Sequence, residues 1–179
     1  MSSLFKNTQL YLIGFMGAGK TTVGKLLAEK LNRPFVDIDD VIEKKTDLTI
    51  PMIFEKYGED YFRKFETDVL ERIAKYPDNV IATGGGIILK AKNRRTMKKT
   101  GITIYLRCDP ATLYQRIKNS THRPLLKSIN NSPLVQLIET MLQQRQPFYE
   151  TADIILDANE DRAPREIAST IIQQLLLKA

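Results

Sequence analysis

Short apolar runs alternate with amphipathic segments along the whole chain. Five runs have the length of buried strands, and helical segments, whose apolar residues recur three or four positions apart, separate them. The runs are 9–13, 34–38, 80–83, 102–106 and 154–156. Strands that alternate with helices need crossover connections, which are typical of a parallel sheet covered on both faces. The pattern therefore predicts an α/β fold whose ligands bind beyond the carboxyl ends of the strands.

Caps and breaks set the predicted helix boundaries. Gly58 interrupts a long helical pattern, and both Asp109-Pro110 and Ser132-Pro133 place an N-cap before a proline that starts a helix. The stretch 119–132 is polar and weakly patterned, so we expect a long loop there. The predicted helices are 23–31, 39–45, 49–57, 59–75, 90–99, 110–118, 133–146 and 164–177.

The composition is that of an ordinary globular protein, with 42% hydrophobic and 27% charged residues. A length of 179 residues without repeats or a linker predicts one domain over 1–179. No run approaches the roughly 18 apolar residues of a membrane span, and the first ten residues lack the long apolar stretch expected of a secretory signal. Cys108 is the sole cysteine, which excludes an internal disulfide. We therefore expect a cytoplasmic protein.

The net charge has a local origin. The chain carries 27 Lys and Arg against 21 Asp and Glu, a surplus of +6 that admits nucleic acid, an anionic membrane or an anionic small molecule as partner. Residues 90–99 contain six Lys and Arg and no acid, so 21 cations face 21 anions in the rest of the chain. One predicted surface helix holds the whole surplus, and the net charge does not identify the ligand.

Residues 14–21, GFMGAGKT, match the phosphate-loop pattern G-x-x-x-x-G-K-[ST] between a buried strand and a helix. Glycines let backbone N–H groups face a phosphate chain, and the helix N-terminus adds partial positive charge. Lys20 would reach the β- and γ-phosphates, and Thr21 would bind Mg²⁺. The alternative, a glycine turn with a solvated lysine, does not explain why pattern and position agree. The motif predicts ATP or GTP with Mg²⁺ and leaves the acceptor open.

A carboxylate at a strand end is expected to orient the water shell of such a metal. The second predicted strand contains Asp37 and Asp157 follows the fifth, whereas the third strand ends without a carboxylate. Asp37 is the better candidate, because Asp39 and Asp40 follow it and indicate a polar, functional strand end. The alternative is that Asp39 or Asp40 only caps the next helix.

Two features indicate an acceptor site. Arg63 and Glu66 lie three positions apart on a predicted helix and can pair, either at the surface or at the wall of a cleft. Residues 84–86 are three glycines at a strand end, where they would let the backbone approach a ligand closely. A plain tight turn is the alternative, but it rarely needs three glycines.

Two arginines could contact a ligand from the second half of the chain. Arg123 lies in the polar loop 119–132, which suits a lid that closes over the nucleotide and brings a cation to the transferring phosphoryl group. Arg145 stands at a predicted helix end just before Pro147. It is either a cation favoured by the helix dipole or an arm that holds the ligand, and its position does not distinguish the two.

Six ordered segments together resemble one family. They are GFMGAGKTTVGKLLA, FVDIDDVIE, GEDYFRKFE, ATGGGI, HRPLL and QQRQPFYETAD. Their order and spacing resemble the shikimate kinase family over nearly the whole chain. The resemblance implies a three-layer αβα fold of the nucleoside-monophosphate-kinase type, with a five-stranded parallel sheet and a phosphate loop. It also implies transfer of the ATP γ-phosphate to the 3-hydroxyl of shikimate, a step toward chorismate and the aromatic amino acids.

The resemblance also implies a role for each matching residue. Asp39 would hold the acceptor hydroxyl and take its proton, Arg63 and Arg145 would grip the shikimate carboxylate, and Gly85 would offer its backbone to the ring hydroxyls. The ATP-binding residues would be Gly17, Ala18, Gly19, Lys20, Thr21, Thr22 and the lid residue Arg123. Thr21 and, through water, Asp37 would bind Mg²⁺. Arg116 and residues 159–164 suit the adenine by position alone. A monomer that binds no nucleic acid and no membrane is expected.

Two other functions compete with this one. A kinase of nucleoside monophosphates would carry a D-G-[FY]-P-R segment, which is absent, and a gluconate kinase would leave the D-x-D, GEDYFR and GGG segments unexplained. A non-catalytic protein that binds nucleotide or nucleic acid would not need the phosphate-loop lysine or the acceptor groups.

Overall fold

The protein is built on a five-stranded parallel sheet, seen in a computed structural model that describes residues 6–118, 131–159 and 162–178. The strands are β1 (Gln9–Ile13), β2 (Phe35–Asp37), β3 (Val80–Ala82), β4 (Gly101–Arg107) and β5 (Ile154–Asp157), in the spatial order β2-β3-β1-β4-β5. The predicted α/β class, the five strands and their parallel pairing are confirmed.

Helices cover both faces of this sheet. They are α1 (Lys20–Leu31), α2 (Ile38–Thr46), α3 (Ile50–Ile73), α4 (Ala91–Thr100), α5 (Pro110–Ile117), α6 (Asn131–Tyr149) and α7 (Pro164–Lys178), with a 3₁₀ turn at Ile87–Leu89. Side chains alternate across a strand, so Leu10 and Leu12 of β1 enter a core with α1, α5, α6 and α7, while Tyr11 and Ile13 enter a second core with α2, α3 and α4. The αβα layering follows from this alternation.

The caps behave largely as the sequence predicts. Asp109 accepts a hydrogen bond of 2.7 Å from the Thr112 amide and starts α5 with Pro110. Gly58 takes φ 78° and ψ 171°, which breaks α3 into the two predicted helical pieces, and a φ of this sign strains any side chain but glycine's hydrogen.

The predicted boundaries differ from the observed ones in two places, at the start of α2 and at both ends of α6. The strand predicted over 34–38 ends at Asp37, because the Asp37 side chain accepts a hydrogen bond of 3.1 Å from the Asp39 amide and caps α2. The cap is therefore neither Asp39 nor Asp40. The helix predicted over 133–146 begins at Asn131, so Ser132 does not precede it as an N-cap, and it continues through Pro147 to Tyr149. Proline lacks one amide donor, but tertiary contacts of the last turn, described below, hold the helix together.

The parallel strands place their carboxyl ends along one edge of the sheet. The loop after β1, the start of α2 after β2 and the glycines after β3 enclose a cleft of about 1050 Å³ at that edge. Among the helices of the described residues, none has both the length and the apolar character to cross a membrane.

Candidate active site

The phosphate loop forms one end of the cleft. Gly14, Gly17 and Gly19 have φ angles of 145°, 82° and 90°, values that side chains rarely allow, and α1 begins at the next residue, Lys20. The Lys20 ammonium group reaches back to donate to the carbonyl oxygens of Gly14 and Phe15, at 2.9 and 2.8 Å. The predicted nucleotide-binding residues 17–22 all line the cleft.

A hydroxyl and a carboxylate meet beside this loop. The Thr21 hydroxyl donates to Oδ2 of Asp37 at 2.7 Å, and both residues line the cleft. Asp157, the other candidate, instead forms an exposed pair with Arg107 at 2.6 and 3.0 Å. The described part of the chain has no group of three or more His, Cys, Asp or Glu that could hold a metal. An oxygen pair without such a cage fits Mg²⁺, which keeps several waters and binds through few carboxylates and nucleotide phosphates.

Arg63 forms part of the cleft wall, and two glutamates hold it there. Nη1 lies 3.0 Å from Oε2 of Glu66, while Nε and Nη2 lie 3.2 and 3.1 Å from Oε1 of Glu59. The Arg63 side chain is only 11% exposed and that of Glu66 is fully buried. The pair predicted from the i, i+3 spacing therefore belongs to the cleft wall and not to an exposed surface. Glu59, one turn before Arg63, was missed, although its i, i−4 spacing was a usable signal.

The environment of Glu66 favours its neutral form. Burial raises the pKa of Glu66, the Arg63 guanidinium opposes this rise, and the nearby Asp39 carboxylate adds to it, so that the pKa lies at about 7. Among the described residues, Oε1 of Glu66 has no hydrogen-bond partner. The protonated form of Glu66 is therefore favoured, because the carboxylate is buried, one of its oxygens lacks a hydrogen bond and a second acid lies close by.

The glycine triplet makes room for these side chains. A methyl group on Gly84 would overlap Oε1 of Glu66 and lie 3.2 Å from Oδ1 of Asp39, and one on Gly86 would overlap the guanidinium of Arg63. None of these three glycines has a positive φ angle, so the backbone conformation of 84–86 does not itself require glycine. The sequence predicts a close approach, and the structure identifies the approaching groups as the protein's own charged side chains.

Arg145 lies against the middle glycine and the phosphate loop. Its Nη1 donates to the Gly85 carbonyl at 3.2 Å, its Cζ lies 5.3 Å from the centre of the Phe15 ring, and the residue is 5% exposed. Because α6 continues for a further turn, the interpretation of Arg145 as a cation at a helix end is wrong. Tyr149, which also donates to the Gly85 carbonyl, was missed, although it follows Arg145 at the i, i+4 spacing.

The cleft is also lined by Arg116, Arg162, Ala163 and Pro164. Nη1 of Arg116 lies 3.4 Å from the Gly17 carbonyl and so borders the phosphate loop. Of the positions predicted for the adenine, Arg116 and residues 162–164 therefore reach the cleft. Arg123 and most of the predicted lid, residues 119–130, lie outside the described residues.

A phosphate loop on a parallel sheet, facing two arginines and an aspartate across one cleft, defines a P-loop kinase that acts on a small anionic acceptor. A family model for shikimate kinase matches residues 16–176. A shikimate kinase of Thermodesulfovibrio yellowstonii is 44% identical over 165 residues, 92% of this chain and 93% of the relative. The chain belongs to the shikimate kinase family.

Solved structures agree with this assignment. A shikimate kinase from Acinetobacter baumannii in complex with shikimate has a TM-score of 0.92 and 42% identity, covering 98% of this chain and 97% of that one. A gluconokinase from Sinorhizobium meliloti reaches a TM-score of 0.61 at 20% identity, over 97% of this chain and 94% of the other. That second likeness shows a shared fold and nothing about the acceptor.

Proposed function

We propose that this chain transfers the γ-phosphoryl group of ATP to the 3-hydroxyl of shikimate, giving shikimate 3-phosphate and ADP. Family membership implies this reaction. The observation that carries it is the pair of largely buried arginines, Arg63 and Arg145, on the acceptor side of a cleft whose other end is a phosphate loop. Shikimate is a carboxylate with neighbouring hydroxyls, and guanidinium forks are the groups that bind carboxylates with two parallel hydrogen bonds.

On the nucleotide side, the loop amides and the start of α1 bind the phosphates. The Lys20 ammonium group, now on the carbonyls of Gly14 and Phe15, extends to the β- and γ-phosphates. Arg123, which lies outside the described residues, is the lid residue that the family resemblance assigns to the nucleotide. Phosphoryl transfer needs alignment and charge neutralisation more than covalent participation of the protein, and these cations supply the second requirement.

Thr21 and Asp37 would hold the magnesium ion that accompanies ATP, Thr21 through its hydroxyl and Asp37 through water. Their 2.7 Å hydrogen bond shows that the two oxygens already lie together at the phosphate end of the cleft. A bound Mg²⁺ would neutralise charge on the β- and γ-phosphates.

On the acceptor side, Arg63 and Arg145 bind the carboxylate and the backbone of Gly85 binds a ring hydroxyl. Asp39 lies in the first turn of α2 beside Gly84, where its carboxylate accepts the hydrogen bond of the reacting hydroxyl, aligns its oxygen and takes its proton. Because Glu59 and Glu66 hold Arg63 before substrate arrives, little side-chain entropy is lost on binding.

The test is an ADP-release assay with shikimate, quinate, gluconate and AMP offered side by side. We expect turnover on shikimate alone. Gluconate or AMP as the preferred acceptor would contradict the proposal, as would salt-sensitive DNA binding without turnover. A Lys20→Ala variant serves as the control for contaminating kinases, because its activity should fall to background.

The remaining assignments belong to the same proposal. Residues 1–179 act as one shikimate kinase domain, with the phosphate loop at 14–21, the acceptor region at about 37–66 and the lid at about 119–132. The chain acts as a monomer, as its family membership favours. It acts in the cytoplasm, because its single cysteine fits a reducing compartment.

A further inference from the structure

Tyr149 is a buried polar residue beside the cleft that the proposed reaction does not use. It ends α6, is 0% exposed, and its ring stacks on Tyr105 of β4 with centroids 4.8 Å apart. Its hydroxyl donates a hydrogen bond of 2.5 Å to the carbonyl of Gly85. The two residues are 64 positions apart in sequence, so this bond joins α6 to residues 84–86, the acceptor loop that follows β3.

The Gly85 carbonyl accepts hydrogen bonds from two donors, Arg145 and Tyr149, of which only Arg145 is assigned to the substrate. Arg145 Nη1 lies 3.2 Å from the same oxygen, and both donors come from the last turns of α6. Arg145 is the side chain assigned to the substrate carboxylate. If it were the sole donor, turning it toward the substrate would leave a half-buried carbonyl without a partner, which is unfavourable.

Gly85 also contacts the phosphate loop. A methyl group on Gly85 would lie 3.1 Å from the Met16 amide nitrogen and 3.5 Å from the Gly14 carbonyl oxygen. The acceptor loop therefore rests directly on the backbone that would hold ATP. Any movement of Gly85 changes the distance between the acceptor site and the phosphate site, on which in-line transfer depends.

We infer that Tyr149 is a positioning residue for the acceptor: its hydroxyl keeps the Gly85 carbonyl paired and seated on the phosphate loop, which releases Arg145 to bind the substrate carboxylate. This inference rests on the proposed function, because it needs Arg145 to engage an acceptor. It adds to that function a residue that touches neither substrate.

The first test is Tyr149→Phe, which removes the hydroxyl and keeps the stacked ring. Tyr11→Phe is the matched control, because Tyr11 is also 0% exposed and its hydroxyl also makes one hydrogen bond, of 2.7 Å, to Thr100. In Tyr149→Phe we expect the KM for shikimate to rise about tenfold and the KM for ATP to change less than about twofold. Tyr11→Phe should change neither constant.

An unchanged KM for shikimate in Tyr149→Phe, or equal changes in both variants, would overturn the inference. In an Arg145→Ala background the Tyr149→Phe change should have little further effect on that KM, since both act on carboxylate binding. Two fully additive effects would contradict the route through Arg145.

A second measurement needs no substrate. Hydrogen exchange of the amides in 84–87 should speed up about tenfold in Tyr149→Phe and stay unchanged in Tyr11→Phe. Unchanged exchange in Tyr149→Phe would refute the seating of Gly85 itself. The two failures can be told apart. If the wild type does not phosphorylate shikimate but Tyr149→Phe still shows faster exchange, the proposed function and the role of Arg145 are refuted. The seating of Gly85 by Tyr149 would then still hold.

Discussion

Nη1 of Arg63 lies 3.0 Å from Oε2 of Glu66, and this glutamate side chain has no solvent exposure at all. The arginine is thus held from inside the protein by a buried acid and from its outer side by Glu59. Removing Arg63 would leave the buried Glu66 carboxylate without its cation, which costs more than forming an exposed ion pair gains. The Arg63–Glu66 contact therefore links the stability of the fold to the geometry of the acceptor pocket.

The raised pKa of Glu66 predicts a pH dependence of stability. The folded protein holds this proton up to about pH 7, whereas the unfolded chain releases it near the ordinary value of 4.5. The folded state binds more protons between these values, so the free energy of unfolding falls as pH rises through this window, by about 3 kcal/mol from this group. Denaturant unfolding of wild type and Glu66→Gln from pH 4 to pH 8 should show this decline in the wild type only.

Glu59→Gln is the matched control for that experiment. It removes the other carboxylate on Arg63, which is 49% exposed, and leaves Glu66 in place. The control should keep the decline between about pH 4.5 and pH 7. A decline that persists in Glu66→Gln would show that another group causes it.

Arg63→Ala should raise the KM for shikimate between about tenfold and a hundredfold and leave the KM for ATP nearly unchanged. The reason is that the variant loses a charged fork for the substrate carboxylate but no contact of the phosphate loop. Arg63→Lys keeps a positive charge beside Glu66, so it should be more stable than Arg63→Ala. It lacks the guanidinium fork, so it should still bind shikimate poorly. Normal shikimate kinetics in both variants would contradict the carboxylate assignment.

Asp39→Asn should lower kcat about a hundredfold or more while the KM for ATP changes less than about threefold. The amide keeps the size of the side chain and its place beside Gly84, but it cannot take the proton of the acceptor hydroxyl. Steady-state kinetics with each substrate varied in turn would measure both constants. Equal losses in turnover and ATP binding would indicate a structural role at the start of α2.

Gly86→Ala should disturb the acceptor pocket by displacing the Arg63 side chain. Its methyl group would overlap the Arg63 guanidinium and force it off Glu66, so we expect the KM for shikimate to rise about tenfold. Gly24→Ala is the control, because its methyl group would press on the Phe35 ring at 2.6 Å, away from the acceptor loop. The control should lower the thermal midpoint without changing the ratio of the two KM values.

The order of elements and the phosphate loop could be predicted because their signals are local. Hydrophobic periodicity, the Asp109-Pro110 cap and the glycine pattern of 14–21 each act within a few residues. The error at Pro147 has the opposite origin. A local rule ends a helix near proline, whereas Arg145 and Tyr149 fix the last turn through contacts with Gly85, some 60 residues away in sequence.

The candidate site was predictable as a set of residues and not as an arrangement. The spacing of Arg63 and Glu66 allows a pair but is identical for an exposed and a buried one. Three glycines indicate a close approach, but they do not say that Glu66 and Arg63 are the groups that approach. The bond between Thr21 and Asp37 depends on how α1 lies over the sheet, which no local pattern determines.

The sequence by itself determined the α/β class, the phosphate loop and the types of charged group at the acceptor side, because short-range periodicity and backbone conformation specify these. Only the tertiary structure decided which charges are buried, which glycine receives two donors and which tyrosine holds the acceptor loop. Burial and pairing arise where segments distant in the chain pack together, and the energy of a charge or a carbonyl depends on that packing and not on its neighbours in sequence.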